Sequence, residues 1–323
     1  MSGSPFGPMR IVINPRAGRG AVERGWPAAK AVLDEGGVEY RVTITEEAGH
    51  ASRAAREAIE AGERFVVAVG GDGTVHEVVN GMMGDDGPLV PDAVLGVVAA
   101  GSGCDFVKTF GLSQDPTTAA KHLLGGGLWG EIDVARVRYT GEGGAQRARW
   151  FANIAEAGLG ADVVAAAARL PKWLGGKVYK IAAVKEIARH DPFAARVTMH
   201  GRKARGLPVG SPLGSVEWEG ELSLLVVANC QFFGGGMKVA PRAIPSDGML
   251  DVQIAMGSKS DAMKVMQKIA KGEHIPNKNI GEYLATSLTL DGPKPILIEA
   301  DGEVLGTTPA TFDLVPAALK LKI

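Results

Sequence analysis

The chain has few of the residues and segments that would place it in a specialised structural class. Its two cysteines, Cys104 and Cys230, are too few for a disulfide framework and lack the CxxC spacing of a structural zinc site. No apolar run reaches the roughly eighteen residues that a membrane-spanning helix needs. The N-terminal "MSGSPFGPMR" has no apolar segment typical of a secretion signal. These absences predict a soluble, cytoplasmic protein.

Charge of one sign is also lacking, because the net charge is −1 over 323 residues. A chain so close to neutral has no overall field that would attract nucleic acid, so we expect no nucleic-acid partner. Hydrophobic residues make up 46% of the sequence, which is enough for the cores of one large or two ordinary domains.

The first part of the chain alternates between strand and helix patterns. Short apolar runs at 10–15, 65–69 and 95–100 predict buried strands, and the Ala-rich stretch 50–62 predicts a helix between two of them. This alternation is typical of an α/β domain with a parallel sheet covered by helices.

After about residue 132 the pattern changes to strands separated by turns. The predicted strands are 133–139, 221–230, 250–255, 287–290, 295–304 and 318–323, with helical stretches near 161–190 and 259–273 and a loop at 201–214. Such a pattern predicts a mainly β, sandwich-like second domain. We therefore predict domains at 1–132 and 133–323.

A glycine-rich stretch, "GGDGTVH" at 70–76, follows the predicted strand 65–69. Beyond it, Val75, Val78, Val79, Met82 and Met83 recur at helical spacing, so the glycines precede a helix N-terminus. Free amides and the helix dipole favour a phosphate there, and glycine allows unusual backbone angles and close approach. The alternative is a tight turn with Asp72 as helix cap. Neither GxxxxGK[ST] nor GxGxxG is present at this loop.

Two other predicted strands also end in small polar residues. "NPRAGRG" at 14–20 follows the first strand, and "AAGSGCDF" at 99–106 follows the third. The carboxyl ends of parallel strands meet at one edge of a sheet, where open α/β sheets bind ligands. The three loops together favour a nucleotide-phosphate site.

These motifs resemble those of the diacylglycerol kinase catalytic-domain superfamily, which includes soluble bacterial lipid kinases and has sphingosine and ceramide kinases as relatives. "GGDGT" alone is shared with NAD kinases and 6-phosphofructokinases, whose first domain is of the same α/β type. The ordered set is more specific, above all "GGGMKVAP" followed by "SDGMLDV" within 234–252 and "EADGEV" at 299–304.

The resemblance implies a two-domain, ATP-dependent lipid kinase with its active site in the cleft between the domains. ATP would lie on the first domain. The residues implied for the nucleotide are Asn14, Pro15, Arg16, Ala17, Gly18, Thr45, Gly70, Gly71, Asp72, Gly73, Thr74, Val75, His76, Gly101 and Ser102.

The second domain is implied to supply the acid that accepts the proton of a lipid hydroxyl, either Asp301 or Glu303, with Asp301 slightly favoured. A D-G pair between apolar runs is also an ordinary hairpin signal, so that alternative stays open.

Magnesium is expected in two places. Phosphoryl transfer needs Mg²⁺ near the phosphates, where Asp72 is the natural acidic partner. The resemblance also implies a Mg²⁺ site made by the Asp247 carboxylate and the carbonyls of Ile244 and Met249, although S-D-G is itself a strong turn former. Asp105 and Asp133 are implied to support the same acidic network.

The chain departs from the family pattern at two places. Cys104 stands where the family usually has Asn, and a thiol is a much poorer hydrogen-bonding group than an amide. Cys104 could simply fill a small apolar gap. The chain ends at "LKLKI", whereas relatives often return a final segment to the first domain, so the sequence leaves that return in doubt.

The segment 169–189 combines basic and aromatic residues on a predicted helical stretch. Arg169, Lys172, Lys177, Lys180, Lys185 and Arg189 are interleaved with apolar residues that include Trp173 and Tyr179. This composition suits docking on an anionic membrane surface, but also suits a helix packed on its own domain. We therefore expect a lipid substrate, peripheral membrane contact and, by resemblance, a possible homodimer.

Two rival functions remain. The first is a nucleotide- or lipid-sensing homologue without turnover, for which the departure at Cys104 is the sole support. The second is a small-molecule kinase like the NAD kinases, which would share "GGDGT" but not the later motifs. The lipid itself cannot be read from the sequence, because apolar pockets distinguish such ligands weakly.

Overall fold

A computed structural model describes residues 4–99, 104–171, 177–202 and 214–323. The chain forms two compact units. Unit 1 comprises Met1–Val134 and Val315–Ile323, and unit 2 comprises Ala135–Leu314.

Unit 1 is an α/β domain. Its elements are β1 (Met9–Ile13), α1 (Ala21–Glu35), β2 (Tyr40–Ile44), α2 (His50–Glu60), β3 (Phe65–Gly70), α3 (Asp72–Met82), β4 (Val94–Ala99), α4 (Asp105–Thr109) and α5 (Pro116–His122). The strands pair in parallel in the order β2-β1-β3-β4. This is the parallel sheet that the sequence predicts, with β2 as a strand that the prediction missed.

Both faces of the unit 1 sheet are covered by helices. Side chains of α1 and α5 pack with Ile11, Val67 and Val98 in one core, while α2 and α3 contact each other and the strands β1 and β3. Burial on both faces explains why β3 and β4 are apolar throughout, without the alternation of a half-exposed strand.

Unit 2 is mainly antiparallel β structure. Its strands are β5 (Leu128–Thr140), β6 (Gln146–Phe151), β7 (Ile154–Gly158), β8 (Phe193–Arg202), β9 (Gly214–Leu222), β10 (Leu224–Ala228), β11 (Leu250–Ala255), β12 (Ile280–Ala285), β13 (Ser287–Asp291), β14 (Leu297–Ala300) and β15 (Glu303–Lys322). Its helices are α6 (Leu159–Ala168), α7 (Lys177–Arg189) and α8 (Lys259–Ile269). Strands β5 and β15 continue into unit 1.

One sheet of unit 2 runs in the order β12-β11-β10-β7-β14-β15, and its two faces bury different residues. On β10, Leu225 and Val227 point into the core that also holds Phe151 and Phe312. Val226 and Ala228 point to the opposite face, where they pack with Val164 of α6. Helices thus cover a face that would otherwise meet water.

The predicted fold class, an α/β domain followed by a β-sandwich-like domain, is confirmed. The predicted division at residue 132 differs from the structure in the last residues, because Val315–Ile323 belong to unit 1. There Lys320 and Leu321 pair in parallel with β4, and the buried Lys322 Nζ donates to the carbonyl of His122 at 2.6 Å. The final segment therefore does return to the first unit.

Other local predictions differ in detail. The helical stretch near 161–190 contains two helices, α6 and α7, and the predicted strand 295–304 is a hairpin that turns at Asp301 and Gly302. In the described part of the chain, no helix is both long and apolar enough to cross a membrane.

Candidate active site

The predicted phosphate loops of unit 1 lie at the carboxyl ends of adjacent strands. Asn14 follows β1 and donates its N–H to Val69 O of β3 at 3.0 Å. Thr45 follows β2 and donates its N–H to Ile13 O at 2.8 Å. The sheet order therefore brings Asn14, Thr45 and Gly70 to one edge. Gly101 and Ser102 lie outside the described residues.

The loop after β1 is a tight turn built on Asn14. The Asn14 Oδ1 accepts the N–H of Arg16 at 3.1 Å, and its carbonyl accepts the N–H of Ala17 at 3.1 Å. Gly18, Arg19 and Gly20 follow with φ of 58°, 57° and 78°. Glycine tolerates this left-handed conformation at positions 18 and 20, whereas Arg19 adopts it despite its side chain.

The three glycines of "GGDGT" have different roles. None of Gly70, Gly71 and Gly73 has a positive φ, so the prediction of unusual backbone angles is wrong for them. A Cβ at Gly70 would lie 2.2 Å from Thr74 Oγ1, so packing requires glycine there. A Cβ at Gly71 or Gly73 would meet nothing within 4 Å among the described residues. Open space over a helix N-terminus is the arrangement that close approach of a phosphate needs.

The first turn of α3 contains Asp72 and Thr74. The Thr74 Oγ1 is buried and, within the described ranges, has no hydrogen-bond partner. The side chains of Val75 and His76 are buried, and the His76 ring lies 3.4 Å from the Asn80 amide. Val75 and His76 could therefore contact a nucleotide through their backbone groups but not through their buried side chains.

Asp72 connects two helices of unit 1. Its Oδ2 accepts the N–H of Asp105 and its Oδ1 accepts the N–H of Phe106, both at 2.9 Å. The carboxylate thus caps the start of α4. The sequence alternative, in which Asp72 caps its own helix α3, is therefore not what the structure shows.

Cys104 is fully buried at the start of α4, next to Asp72. Burial first, and the charge of Asp72 second, raise the pKa of this thiol well above its ordinary value. A thiol in that environment stays protonated, so Cys104 has no nucleophilic character at neutral pH.

The predicted supporting acids have separate partners. Asp105 pairs with Lys108 at 2.6 Å and is linked to Asp72 through its own N–H. Asp133 accepts the N–H of Ala317, at 2.8 Å, and so holds the returning final segment of unit 1.

The motif "EADGEV" forms a hairpin between β14 and β15. Asp301 and Gly302 make the two-residue turn with φ of 50° and 89°, the signature of the common turn that the D-G pair predicts. The Asp301 carboxylate accepts the N–H groups of Ala152, Asn153 and Ile154, each at 3.1 Å. Asp301 therefore anchors the start of β7.

Glu303 lies on the other side of the same turn. Its carboxylate pairs with Arg149 at 2.7 Å, and its side chain is 38% exposed. Between the two candidate acids, Glu303 is thus the one whose carboxylate is not committed to the amides of the β7 start. The preference for Asp301 has no support in this geometry.

The segment predicted to bind Mg²⁺ forms an exposed turn. The N–H of Asp247 lies 3.4 Å from Ile244 O, and the Asp247 Oδ1 accepts the N–H of Met249 at 3.0 Å. The turn gathers the predicted carboxylate and one predicted carbonyl. Among the described residues, no cluster of three or more His, Cys, Asp or Glu side chains could hold a metal. A site here would therefore depend on backbone carbonyls and water, a ligand set that suits Mg²⁺.

Unit 2 contains an apolar cavity of about 120 Å³, here called the unit 2 cavity. It lies between the helix-covered face of the sheet and the helices α6, α7 and α8, and its walls include Val163, Ile187, Met237, Val265 and Met266. Its size is comparable with an apolar cavity of about 150 Å³ that binds benzene. The cavity can therefore hold part of an apolar ligand.

Two acids, Glu156 of β7 and Asp261 of α8, line this mainly apolar space, and Glu156 is the buried one. Its neighbour across the strands is Glu299 of β14, and both carboxyls are buried. Sequence analysis singled out neither residue, although Glu156 is the lone acid in the apolar run "NIAEAGLGA" and could have been noticed for that reason.

Comparison with known proteins finds a matching family model for each of the two parts of the chain. The family described as "Diacylglycerol kinase catalytic domain" matches residues 8–137, and "YegS C-terminal NAD kinase beta sandwich-like domain" matches residues 153–323. A "Probable lipid kinase YegS-like" protein of Xanthomonas campestris is 30% identical over 88% of this chain and 88% of its own length.

Two further proteins resemble the chain over nearly its whole length. A "Diacylglycerol kinase" of Mycobacterium tuberculosis is 29% identical over 98% of this chain and 95% of its own. The crystal structure of a diacylglycerol kinase from Bacillus anthracis covers 99% of this chain and 97% of its own, with a TM-score of 0.69 and 20% identity, which is a likeness of fold. The chain therefore belongs to the family that joins a diacylglycerol kinase catalytic domain to a YegS C-terminal domain.

Proposed function

We propose that this protein transfers the γ-phosphoryl group of ATP to a hydroxyl group of a lipid, such as a diacylglycerol-like or sphingoid- or ceramide-like molecule. Family membership makes the chain a kinase with an alcohol acceptor. The unit 2 cavity carries the lipid part of the proposal, because an apolar space walled by Val163, Met237 and Met266 suits an alkyl chain and not a sugar or nucleotide.

The donor half of the proposal rests on the loops of unit 1. Gly71 and Gly73 leave the N-terminus of α3 open, and the nearby Thr74 hydroxyl is buried with its hydrogen-bonding capacity unused among the described residues. Backbone amides, a hydroxyl and the dipole of α3 are the groups that bind phosphate oxygens.

The acceptor half needs a carboxylate that orients the lipid hydroxyl and takes its proton. We assign this role to Glu303, with Asp301 holding the hairpin that presents it. Bound Mg²⁺ would offset the charge of the phosphates, and Asp72 is the residue of unit 1 that we propose for it. Asp247 with the carbonyls of Ile244 and Met249 remains our proposal for a second Mg²⁺.

The rival functions are less well supported. An NAD-kinase-like enzyme would need a polar acceptor site, whereas the unit 2 cavity is apolar apart from a few groups such as Glu156. A sensing homologue without turnover is disfavoured because the buried Cys104 leaves Asp72 hydrogen-bonded and ordered.

Gly71→Val and Gly73→Val test the proposal without disturbing the fold. Each new side chain enters open space at an ordinary φ, so thermal stability should stay close to that of the wild type. It would occupy the space of the phosphates, so we expect ATP-dependent phosphorylation of a membrane lipid extract to fall at least tenfold, about 1.4 kcal/mol in binding. Lipid products are measured by mass spectrometry.

Gly87→Val is the matched control, because a Cβ at Gly87 also meets open space within the described residues, at an ordinary φ, but away from the strand ends. It should leave phosphorylation unchanged. A wild-type protein that consumes no ATP with any lipid of the extract would refute the kinase proposal. Full activity in both loop variants would remove the phosphate site from the strand ends of unit 1.

We also propose that α7 docks on anionic membranes. Its exposed face contains Lys180, Ile181, Val184 and Lys185, so two apolar side chains stand between two cations. Lys172 and Trp173, which the sequence adds to this segment, lie outside the described residues. Each lysine near an anionic surface contributes about 1 kcal/mol.

Replacing Lys180 and Lys185 together by Glu should lower the fraction that sediments with phosphatidylserine vesicles about tenfold or more. The same charge change at Lys30 and Lys121, exposed on α1 and α5, should have a much smaller effect. Equal losses in both double variants would show that net charge, rather than α7, governs the binding.

A further inference from the structure

Two glutamates face each other across neighbouring strands on the helix-covered face of unit 2. Glu156 of β7 and Glu299 of β14 are direct antiparallel partners. Directly opposed side chains of such strands lie on the same face, about 5 Å apart at Cβ. Val226 of β10 is the partner of Glu156 on its other side, and Val226 packs with α6, so the pair points toward the helices and not into the sandwich core.

Two glycines close in sequence allow the buried position of the Glu156 side chain. A Cβ on Gly160, in the first turn of α6, would lie 2.1 Å from the Glu156 Oε2, so glycine at 160 makes room for the carboxyl. Gly158, with φ of 80°, makes the turn between β7 and α6. The carboxyl therefore lies between the end of the sheet strand and the first turn of the helix, at the wall of the unit 2 cavity.

Among the described residues, no cation contributes to the pKa of either acid. Burial raises the pKa of Glu156 to about 7. Burial, and then the charge of Glu156, raise the pKa of Glu299 well above its ordinary value. The Glu299 Oε2 accepts the N–H of Gly302 at 2.9 Å, while its Oε1 is buried and without a hydrogen-bond partner among the described residues. Two such acids hold at least one proton between them near neutral pH.

Burying these acids costs folding free energy, and an apolar residue at position 156 would fill the wall of the cavity without that cost. We therefore expect a binding partner that contacts the acid. A partner must enter through the cavity, because Glu156 lines it and Glu299 is fully buried behind it. Such a partner needs an apolar body to fit the walls and a hydrogen-bond donor or a cation to meet the carboxyl.

We propose that the unit 2 cavity binds a long-chain amine, with Glu156 as the group that contacts the ammonium. This inference deepens the proposed function and rests on it in one respect, that the cavity receives the lipid substrate. Since the acceptor must also carry a hydroxyl, the substrate class is a long-chain amino alcohol. Carboxylate or phosphate head groups are repelled by the same acid.

Binding of simple amphiphiles to the intact protein, without ATP, tests the inference. Dodecylamine, dodecanol and dodecanoate share one chain and differ in the head group, and calorimetric titration gives the affinity of each below its aggregation limit. At pH 8 we expect the amine to bind at least about tenfold more tightly than the other two, the factor typical of a charge-assisted hydrogen bond. In Glu156→Gln the three affinities should agree within about threefold.

The pH dependence supplies a second readout. As the pH rises from 6 to 8, Glu156 passes its pKa of about 7 and gains charge, so amine affinity should rise while dodecanol affinity does not. The other titratable groups near Glu156 are Glu299 and Asp301 from the β14 hairpin, Tyr179 of α7 and Asp261 of α8. Hydrogen bonds from Ser258 lower the pKa of Asp261, so it stays charged across this range.

Two variants complete the design. Glu217→Gln removes an exposed acid from β9 and should keep the preference for the amine. Glu299→Gln should keep it too at pH 8, because the burial that sets the pKa of Glu156 is unchanged. Loss of the preference in Glu299→Gln, or its retention in Glu156→Gln, overturns the assignment.

The outcomes for the inference and for the proposed function are separable. A wild-type protein that phosphorylates lipids but shows no preference for dodecylamine refutes the amine site and leaves the kinase proposal intact. A protein that prefers dodecylamine through Glu156 but phosphorylates no lipid supports the binding site and refutes the kinase proposal.

Discussion

Replacing Asp301 by Ala should lower the free energy of unfolding by about 3–9 kcal/mol, whatever the role of this residue in catalysis. The carboxylate of Asp301 accepts the N–H groups of Ala152, Asn153 and Ile154, all of which are buried residues. Alanine leaves these donors without their acceptor, and each buried donor without a partner costs about 1–3 kcal/mol. Urea unfolding followed by circular dichroism measures the change.

Glu303→Ala is the matched control, because Glu303 lies two residues away in the same hairpin. Its partly exposed ion pair with Arg149 contributes about 0–1 kcal/mol, so this variant should unfold close to the wild type. If Asp301→Ala were as stable as Glu303→Ala, the carboxylate of Asp301 would not anchor β7, and its oxygens would be available to a substrate.

The two variants also separate structural from chemical roles. Loss of activity in Asp301→Ala follows from the loosened start of β7 and is no evidence of a general base. Glu303→Gln keeps the shape of the side chain and the contact with Arg149 while removing the proton acceptor. Under the proposed function, this variant should lose turnover with little loss of stability.

Local patterns account for the features that the sequence predicted well. The apolar run Phe65–Gly70 and the helical spacing of Val75, Val78 and Val79 are each decided by neighbours in the chain, so β3 and α3 could be placed in advance. The turn at Asp301 and Gly302 is likewise a two-residue signal, because left-handed backbone is needed at both positions.

Features that depend on distant segments could not be predicted. Nothing around Asp301 indicates that its carboxylate meets amides about 150 residues earlier in the chain. The return of Lys320 and Leu321 to β4 is set by an open sheet edge in unit 1 rather than by their own sequence. The same holds for Gly71 and Gly73, whose conformation is ordinary and whose surroundings, not their φ angles, suggest a ligand.

Glu156 shows most clearly why the alternation of side chains along a strand is not enough to predict which of them are buried. In a half-exposed strand, an acid between Ala155 and Ala157 would be read as pointing to water. In unit 2 the opposite face of this sheet is covered by α6, so the same alternation buries the carboxyl. Burial of this side chain thus depends on a helix that follows β7 and on the glycines that let it turn back.

This burial should make the stability of the protein fall as the pH rises through neutrality. The pKa of Glu156 is raised from an ordinary value of 4.5 to about 7, so between these values the folded protein holds a proton that the unfolded chain has released. Stabilisation by the protonated acid is complete below about pH 4.5 and is lost as the pH rises through about 7. The shift corresponds to about 3 kcal/mol, and Glu299 acts in the same direction.

Comparing the wild type with Glu156→Gln isolates this contribution, because the other titrating groups are common to both. His190 and His274, whose pKa values burial lowers, act in the opposite direction near pH 6 and cancel in the difference. The wild type should lose about 3 kcal/mol relative to Glu156→Gln between pH 4.5 and 8, as measured by urea unfolding. Glu217→Gln should follow the wild type. Parallel curves for the wild type and Glu156→Gln would mean that the carboxyl of Glu156 is solvated in the folded state. The burial on which the proposed amine site depends would then be absent.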